Sequence, residues 1–236
     1  MHNLKQQTWR SLLSSPESYI SRKAVSLSHR VEELKWLQRL QSANVSRATE
    51  IFTYTNPREL RALYELALNC PKNGNALEIG SHLGASSCYI AAGLAQASGR
   101  LFCVDTWNNE TMPEGEQDTF AIFQQNTNGV RHTITPVRKW SKDLKWTDIQ
   151  TLLDLVFIDG DHSYVGTKSD FECVKQWMAE DGIIAFHDFS NLSFPGVTRV
   201  VGEALASGDW MIVGKVDTLV WIKAAKWESP SWLSNS

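Results

Sequence analysis

Three features are missing from this 236-residue sequence, and each absence excludes a class of protein. No apolar stretch approaches the roughly 20 residues of a membrane-spanning helix, and residues 1–20 are too polar for a secretory signal peptide. The net charge is −3 and the sequence has no long basic run, which argues against a protein that neutralises nucleic-acid phosphates with clustered lysine and arginine. We therefore expect a cytoplasmic protein that acts on small molecules, without nucleic acid or membrane as a partner.

The four cysteines lack the Cys-x-x-Cys spacing of metal-binding and redox motifs. They fall inside apolar segments, which indicates reduced thiols in a protein core. Hydrophobic residues make up 42% of the chain, enough for one substantial α/β domain with an appendage.

The segment 75–84 is the one around which the chain is organised, and it reads Asn-Ala-Leu-Glu-Ile-Gly-Ser-His-Leu-Gly. Its apolar start predicts a buried strand, after which Gly80 and Gly84 let the backbone turn sharply and approach a ligand. A helix of small residues is predicted over 85–98, with Gly99 as its left-handed C-cap. This succession is typical of a nucleotide site.

Glu78 stands where a dinucleotide fingerprint has its first glycine. A carboxylate there would repel a diphosphate and attract a ligand with a sulfonium or ammonium charge. An ordinary strand-to-helix turn with an incidental glutamate remains the alternative.

Helices are predicted before this strand. Residues 1–49 form an expected helical extension, which would be a lid, an arm for homo-oligomer formation, or a pair of helices packed on the domain. Its apolar face carries Val31, Leu34, Leu37 and Leu40. A second helix begins at Asn56, with Pro57 at its first position and Glu59 completing a capping box.

Further apolar runs predict an α/β fold with a Rossmann-like, doubly wound and mostly parallel sheet, closed by an antiparallel C-terminal hairpin. A helix with Phe171, Val174 and Met178 on one side is expected between the fourth and fifth strands. The predicted later strands are 100–105, 132–137, 153–159, 183–186, 211–213 and 219–222.

Titratable residues follow the fourth and fifth strands, as Asp159-Gly-Asp-His-Ser-Tyr and as His187-Asp188. Because the carboxyl ends of parallel strands face a common crevice, we expect these clusters to meet. Asp105 ends the second strand, where an acid suits ribose hydroxyls, with capping of the next turn as the alternative. Residues 107–118 are predicted to be a flexible flap.

These motifs together resemble the class I S-adenosylmethionine (SAM)-dependent methyltransferases, and among them the small bacterial O-methyltransferases related to catechol and sugar O-methyltransferases. The resemblance covers residues 50–222 and implies a methyltransferase domain at 50–225 followed by a tail at 226–236. It implies SAM-dependent methyl transfer to a hydroxyl of a sugar, phenol or natural product. A non-catalytic SAM- or nucleotide-binding protein is the alternative. The motifs are Glu78-Ile79-Gly80 with Gly84, Asp105, Phe157 to Tyr164, and Ala185 to Asp188.

The resemblance also implies roles for individual residues. Gly80 and Gly84 would approach the methionine part of SAM, with Ser86 near its carboxylate, while Asp105 would take the ribose hydroxyls. Ser141 would meet the adenine, with Trp140 flanking it, although a surface tryptophan beside a helix cap fits equally. The implied cofactor-binding residues are Glu78, Gly80, Ser81, Gly84, Ser86, Asp105, Trp140, Ser141 and Asp159.

Catechol-type enzymes hold Mg²⁺ at the positions of Asp159, His187 and Asp188. His187 offers a nitrogen where a hard ion prefers oxygen, so Mg²⁺, Mn²⁺, Zn²⁺ and no metal all stay open. His162 occupies the position of the base, since an imidazole suits removal of a hydroxyl proton near neutral pH. Helix capping is its alternative role, and His187 is the reserve base if no metal binds.

Overall fold

The computed structural model describes residues 30–109 and 115–226. The chain divides into two compact units, residues 1–42 and 43–236. In the first unit the described residues 30–42 are helical, and of the predicted apolar stripe Leu40 is buried while Val31, Leu34 and Leu37 are exposed. The predicted tail beyond Lys226 and residues 1–29 lie outside the described residues. The role of the N-terminal extension and the predicted domain boundaries stay predictions.

The second unit contains a seven-stranded sheet with helices between its strands. Its strands are β1 (Asn75–Ile79), β2 (Arg100–Asp105), β3 (Ile134–Arg138), β4 (Leu153–Ile158), β5 (Met178–Phe186), β6 (Trp210–Val216) and β7 (Leu219–Ala224). Its α-helices are α1 (Pro57–Leu68), α2 (Ala85–Ala95), α3 (Phe120–Asn126), α4 (Trp146–Ile149), α5 (Tyr164–Val174) and α6 (Pro195–Ala206).

The strands are ordered β3-β2-β1-β4-β5-β7-β6. The first five are parallel, whereas β7 is antiparallel to both β5 and β6. The predicted mostly parallel sheet with an antiparallel edge hairpin is therefore confirmed. The strand order reverses between β1 and β4, and in open sheets of this kind the crevice at the reversal is where ligands bind.

The capping box of α1 is present as predicted. The Asn56 side chain accepts hydrogen bonds from the backbone N–H groups of Arg58 and Glu59, and Glu59 accepts one from the backbone N–H of Asn56. Glu59 is nevertheless only 1% exposed, which is unusual for a charged capping residue. Its burial indicates a second function within the fold.

Two predicted helix ends are wrong, one because of close backbone packing and the other because of strand pairing. Helix α2 ends at Ala95 rather than at 98, and the left-handed residue is Ser98 (φ 58°), not Gly99. Glycine is required at position 99 because a Cβ there would lie 2.7 Å from the carbonyl oxygen of Gly74. Met178 fits the helical spacing but begins β5, where it pairs with Leu153.

The predicted flap is wrong at its first residue. The Trp107 side chain is 1% exposed, packs against Phe120 and Phe123, and donates a hydrogen bond from Nε1 to the carbonyl oxygen of His82. Residues 110–114 of the segment lie outside the described residues. Trp107 thus ties the end of β2 to the loop that follows β1.

Among the helices within 30–109 and 115–226, none combines the length and the apolar character that a bilayer crossing requires.

Helices α1 and α2 pack closely at Gly93, which predicts opposite effects for two Gly→Ala substitutions. A Cβ at Gly93 would lie 2.6 Å from the carbonyl oxygen of Tyr64, so Gly93→Ala should lower stability by about 1–3 kcal/mol. Within the described residues, no atom beyond the nearby backbone of its own helix lies within 4 Å of such a Cβ at Gly202 in α6, so Gly202→Ala should raise stability by about 0.5–1 kcal/mol. Thermal unfolding followed by circular dichroism measures both, and equal shifts would contradict the close packing.

Candidate active site

The glycine loop after β1 packs directly against the end of β4. Gly80 has a φ of 89°, and a Cβ on it would lie 2.1 Å from the carbonyl oxygen of Asp159. The backbone N–H of Asp159 in turn donates to the carbonyl oxygen of Ile79. Gly84, also at φ 89°, is the N-cap of α2. The loop therefore has the tight turns predicted for it and brings the end of β1 against Asp159.

Glu78 lies beneath the loop and is fully buried. The Ser87 hydroxyl donates to its Oε2, while Glu78 Oε1 and the buried Ser81 Oγ have no hydrogen-bond partner among the described residues. Burial raises the pKa of Glu78, which weakens the charge attraction that the sequence predicted for it. What the structure provides instead is unused hydrogen-bonding capacity under the loop, and Ser86 is buried nearby in the first turn of α2.

Asp105 connects the ends of β1 and β2. Its Oδ2 accepts a hydrogen bond from the backbone N–H of His82 (2.8 Å), and its Oδ1 accepts one from that of Trp107 (2.7 Å). The turn-capping alternative is therefore present in the structure. The ribose contact stays a prediction, since each carboxylate oxygen can accept a second hydrogen bond.

Four titratable side chains meet where β4 and β5 end, as the sequence predicted. His187 Nδ1 lies 3.0 Å from Asp159 Oδ1 and 3.5 Å from Asp188 Oδ2. His162 Nε2 lies 3.2 Å from Asp159 Oδ1 and 3.3 Å from Asp188 Oδ2. The four donor atoms thus form a closed ring in which all lie within 4.8 Å of one another.

The charges of this ring are strongly coupled. Burial alone would raise the pKa of Asp159, but the two histidines hold it well below its usual range. Burial alone would lower the pKa of His187, but Asp159, Asp188 and Glu59 raise it to about 12. The pKa of His162 is also raised, by Asp159 and Asp188 against the effect of burial. The surrounding carboxylates therefore favour the protonated form of His187.

Sequence reasoning missed the residue on the other side of His187. Glu59 Oε2 lies 3.1 Å from His187 Nε2, and Glu59 Oε1 accepts hydrogen bonds from the backbone N–H (2.8 Å) and hydroxyl (2.7 Å) of Thr218. The sequence did carry a signal for the burial of Glu59, because it stands four residues before Leu63 and so on the buried face of α1.

The two histidines of the ring differ in solvent exposure. The His162 side chain is 26% exposed and packs against Phe194, with ring centroids 4.4 Å apart. The His187 side chain is only 5% exposed, and both of its nitrogens face carboxylates. The His162 ring is therefore the more accessible of the two, and the assignments of His162 as base and of His187 as reserve base stay predictions.

The predicted adenine residues lie near β3. Trp140 is 43% exposed, with Lys142 Nζ 5.4 Å from its ring centroid, and Ser141 begins a short 3-10 helix. Asp170 of α5, which the sequence analysis did not single out, is 2% exposed, and its Oδ2 has no hydrogen-bond partner in the described part of the chain. Burial raises the pKa of Asp170 to about 6, against the opposing effect of the Ser141 hydroxyl.

Comparison with known proteins agrees with this architecture. Residues 77–189 match a family model described as a methyltransferase domain. The chain is similar in structure to CalS11, a TDP-rhamnose 3′-O-methyltransferase of calicheamicin biosynthesis, at 18% identity and a TM-score of 0.55 over 83% of this chain and 95% of that one.

Two further solved structures are similar. One is the O-methyltransferase from Bacillus cereus in complex with SAH, at 16% identity and a TM-score of 0.57 over 78% of this chain and 88% of that one. The other is TomG from Streptomyces achromogenes in complex with SAM, at 16% identity and a TM-score of 0.53 over 79% of this chain and 89% of that one. The structural likenesses confirm the predicted fold. With the family match, they also confirm the resemblance to class I methyltransferases and the prediction of a methyltransferase.

The buried Asp170 generates a prediction about pH. Its pKa rises from an ordinary value of 3.8 to about 6 on folding, so its stabilising contribution is complete below pH 3.8 and is lost as pH rises through 6. Asp170→Asn should therefore stabilise the protein at pH 8, by at most about 3 kcal/mol, and the gain should vanish near pH 4. Thermal unfolding at both pH values measures this. Asp181→Asn, which changes an exposed carboxylate, is the control, and a gain for Asp170→Asn that is equal at both pH values would contradict the prediction.

Proposed function

Since the chain carries a methyltransferase domain at residues 77–189, we propose that it transfers a methyl group from SAM to a hydroxyl of a small molecule. One observation carries the proposal. The contact of Gly80 with the backbone of Asp159 brings the glycine loop of β1 and the titratable ring of β4 and β5 into one crevice. A bound cofactor and a basic side chain would thereby face each other, as methyl transfer requires.

The residues of the loop fit SAM. Gly80 and Gly84 expose backbone without side chains, and the unpartnered Ser81 hydroxyl offers a buried hydrogen-bonding group. We assign Ser86 to the methionine end, Asp105 to the ribose, and Trp140 with Ser141 to the adenine. When bound, SAM supplies an electrophilic methyl group, whose C–S bond breaks as the new O–C bond forms.

We propose His162 as the general base that takes the proton of the acceptor hydroxyl. Its side chain is the more exposed of the two histidines, and Phe194 with the carboxylates of Asp159 and Asp188 fixes the ring. The neutral form of the imidazole is the one that accepts a proton. A non-catalytic binding protein would have no use for a partly exposed imidazole at this position.

The ring also fits a divalent ion held by Asp159, His187 and Asp188. Among these three ligands, His187 Nδ1 lies 3.0 Å from Asp159 Oδ1 and 3.5 Å from Asp188 Oδ2, close to the separation of about 3 Å expected of ligands bound at about 2.0–2.2 Å. Its mixture of imidazole and carboxylate suits Mn²⁺ or Zn²⁺ better than Mg²⁺, which prefers oxygen alone. Such an ion would lower the pKa of an acceptor hydroxyl.

A sugar, a phenol or a natural product remains the proposed acceptor class. The described rim of the crevice includes the loop that leads into α6, where Leu192 is 97% exposed and Phe194 packs on His162. A partly apolar rim of this kind suits an acceptor that carries an apolar or ring-shaped body beside its hydroxyl.

The assignment of the cofactor site predicts that the purified protein binds SAM and SAH. Asp105→Asn should weaken SAH binding about 10-fold, because a hydrogen bond to a charged group contributes about 1.5–3 kcal/mol and the amide retains only one acceptor oxygen. Isothermal titration calorimetry measures the affinity, and Asp181→Asn should bind as the unaltered protein does. If the unaltered protein bound neither SAM nor SAH, the proposed function would be wrong.

The assignment of the base predicts a selective loss of turnover. His162→Ala should reduce SAH release about 100-fold or more in the presence of a hydroxyl acceptor, while SAH affinity changes by less than about 2-fold. His132→Ala, which removes an exposed histidine before β3, is the control. The acceptors tested are a panel of phenols and nucleotide sugars. Undiminished turnover would move the base elsewhere, and a loss of Mn²⁺ affinity would make His162 a ligand instead.

A further inference from the structure

Glu59 has more contacts than a capping residue needs. Its Oε2 accepts from the backbone N–H of Asn56 (3.2 Å) and faces His187 Nε2 (3.1 Å), while its Oε1 accepts twice from Thr218. The capping box uses only the first of these contacts. The others connect the start of α1 to the end of β5 and to the β6–β7 turn.

The carboxylate is strongly held in its ionised form. Three hydrogen bonds, from the backbone N–H of Asn56 and from the backbone N–H and hydroxyl of Thr218, end on its two oxygens. An ionised carboxylate can only accept hydrogen bonds. The nitrogen of His187 that faces Glu59 must therefore carry a proton.

Because Nε2 of His187 must carry a proton, only Nδ1 is left to bind an ion within the ring of titratable side chains. Imidazole has two nitrogens, and the one that binds a metal ion must be unprotonated. With a proton on Nε2 towards Glu59, Nδ1 is the nitrogen that lies 3.0 Å from Asp159 and 3.5 Å from Asp188. Carboxylates that accept from the second nitrogen of a ligating histidine commonly set its tautomer and orientation.

We propose that Glu59 is the positioning residue of the site, which keeps the proton of His187 on Nε2 and thereby presents Nδ1 to a divalent ion held with Asp159 and Asp188. The inference rests on the metal site of the proposed function. It adds a residue from α1, outside the strand ends, to the machinery of that site.

The test compares Glu59→Gln with Thr218→Val. Glu59→Gln keeps the size of the side chain and removes its charge, so Mn²⁺ affinity should fall about 10- to 100-fold. Thr218→Val removes one hydrogen bond to Glu59 and leaves the contact with His187, so it should bind Mn²⁺ as the unaltered protein does. Electron paramagnetic resonance of free Mn²⁺ measures the affinity, and calorimetry with SAH should show less than about a 2-fold change in either variant.

A second measurement reads the tautomer directly. In the unaltered protein loaded with Zn²⁺, the ¹⁵N spectrum of His187 should show a protonated Nε2 and a metal-bound Nδ1, and Glu59→Gln should lose this pattern. A protonated Nδ1 in the Zn²⁺-loaded unaltered protein would overturn the proposal even if Glu59→Gln failed to fold.

Three further outcomes would also overturn it: Mn²⁺ binding unaffected by Glu59→Gln, an equal loss in Thr218→Val, and no binding of Mn²⁺ or Zn²⁺ by the unaltered protein. Binding of SAH is measured separately, so failure of the cofactor site is distinguishable from failure of the metal site.

Discussion

The contact between Gly80 and the carbonyl of Asp159 is the constraint on which the site depends. Strands β1 and β4 are neighbours at the point where the strand order reverses, and their ends approach so closely that a Cβ at Gly80 would lie 2.1 Å from that carbonyl oxygen. A side chain at this position would push the two strand ends apart. The geometry thus explains why the glycine loop and the end of β4, which are far apart in the sequence, lie against each other.

The ring concentrates charge that the fold must compensate. Asp159 and Asp188 approach His187 on one side and Glu59 approaches it on the other, so a single imidazole lies among three carboxylates. Buried ion pairs of this kind contribute little net stability, because desolvation offsets their attraction. Asp188 also has a φ of 59°, a left-handed conformation that non-glycine residues adopt infrequently. Local features that cost stability commonly mark functional sites.

Features that depend on a local pattern could be predicted from the sequence, whereas features that depend on contacts between distant residues could not. Apolar runs and their polar ends gave the strand succession and the meeting of His162 with His187, because parallel strands align their carboxyl ends. Gly99 was wrongly predicted to be a left-handed cap, because the atom that requires glycine there is the distant carbonyl oxygen of Gly74. Trp107 was wrongly predicted to be flexible, because its burial depends on Phe120 and Phe123. The contact of Glu59 with His187 spans 128 residues, a separation that no local pattern encodes.

The choice of residue at position 187 depends on the presence of Glu59. The backbone N–H of His187 bonds to the carbonyl of Ile158, so the β4–β5 pairing fixes the position of residue 187, and Thr218 fixes Glu59 opposite it. A carboxylate at position 187 would face the ionised Glu59 at close range in a buried setting, where like charges repel strongly. An imidazole removes that repulsion because it can donate to Glu59 with one nitrogen and face Asp159 with the other. The histidine at position 187 is therefore coupled to the glutamate in α1, and replacement of either residue alone would leave a buried charge without its partner.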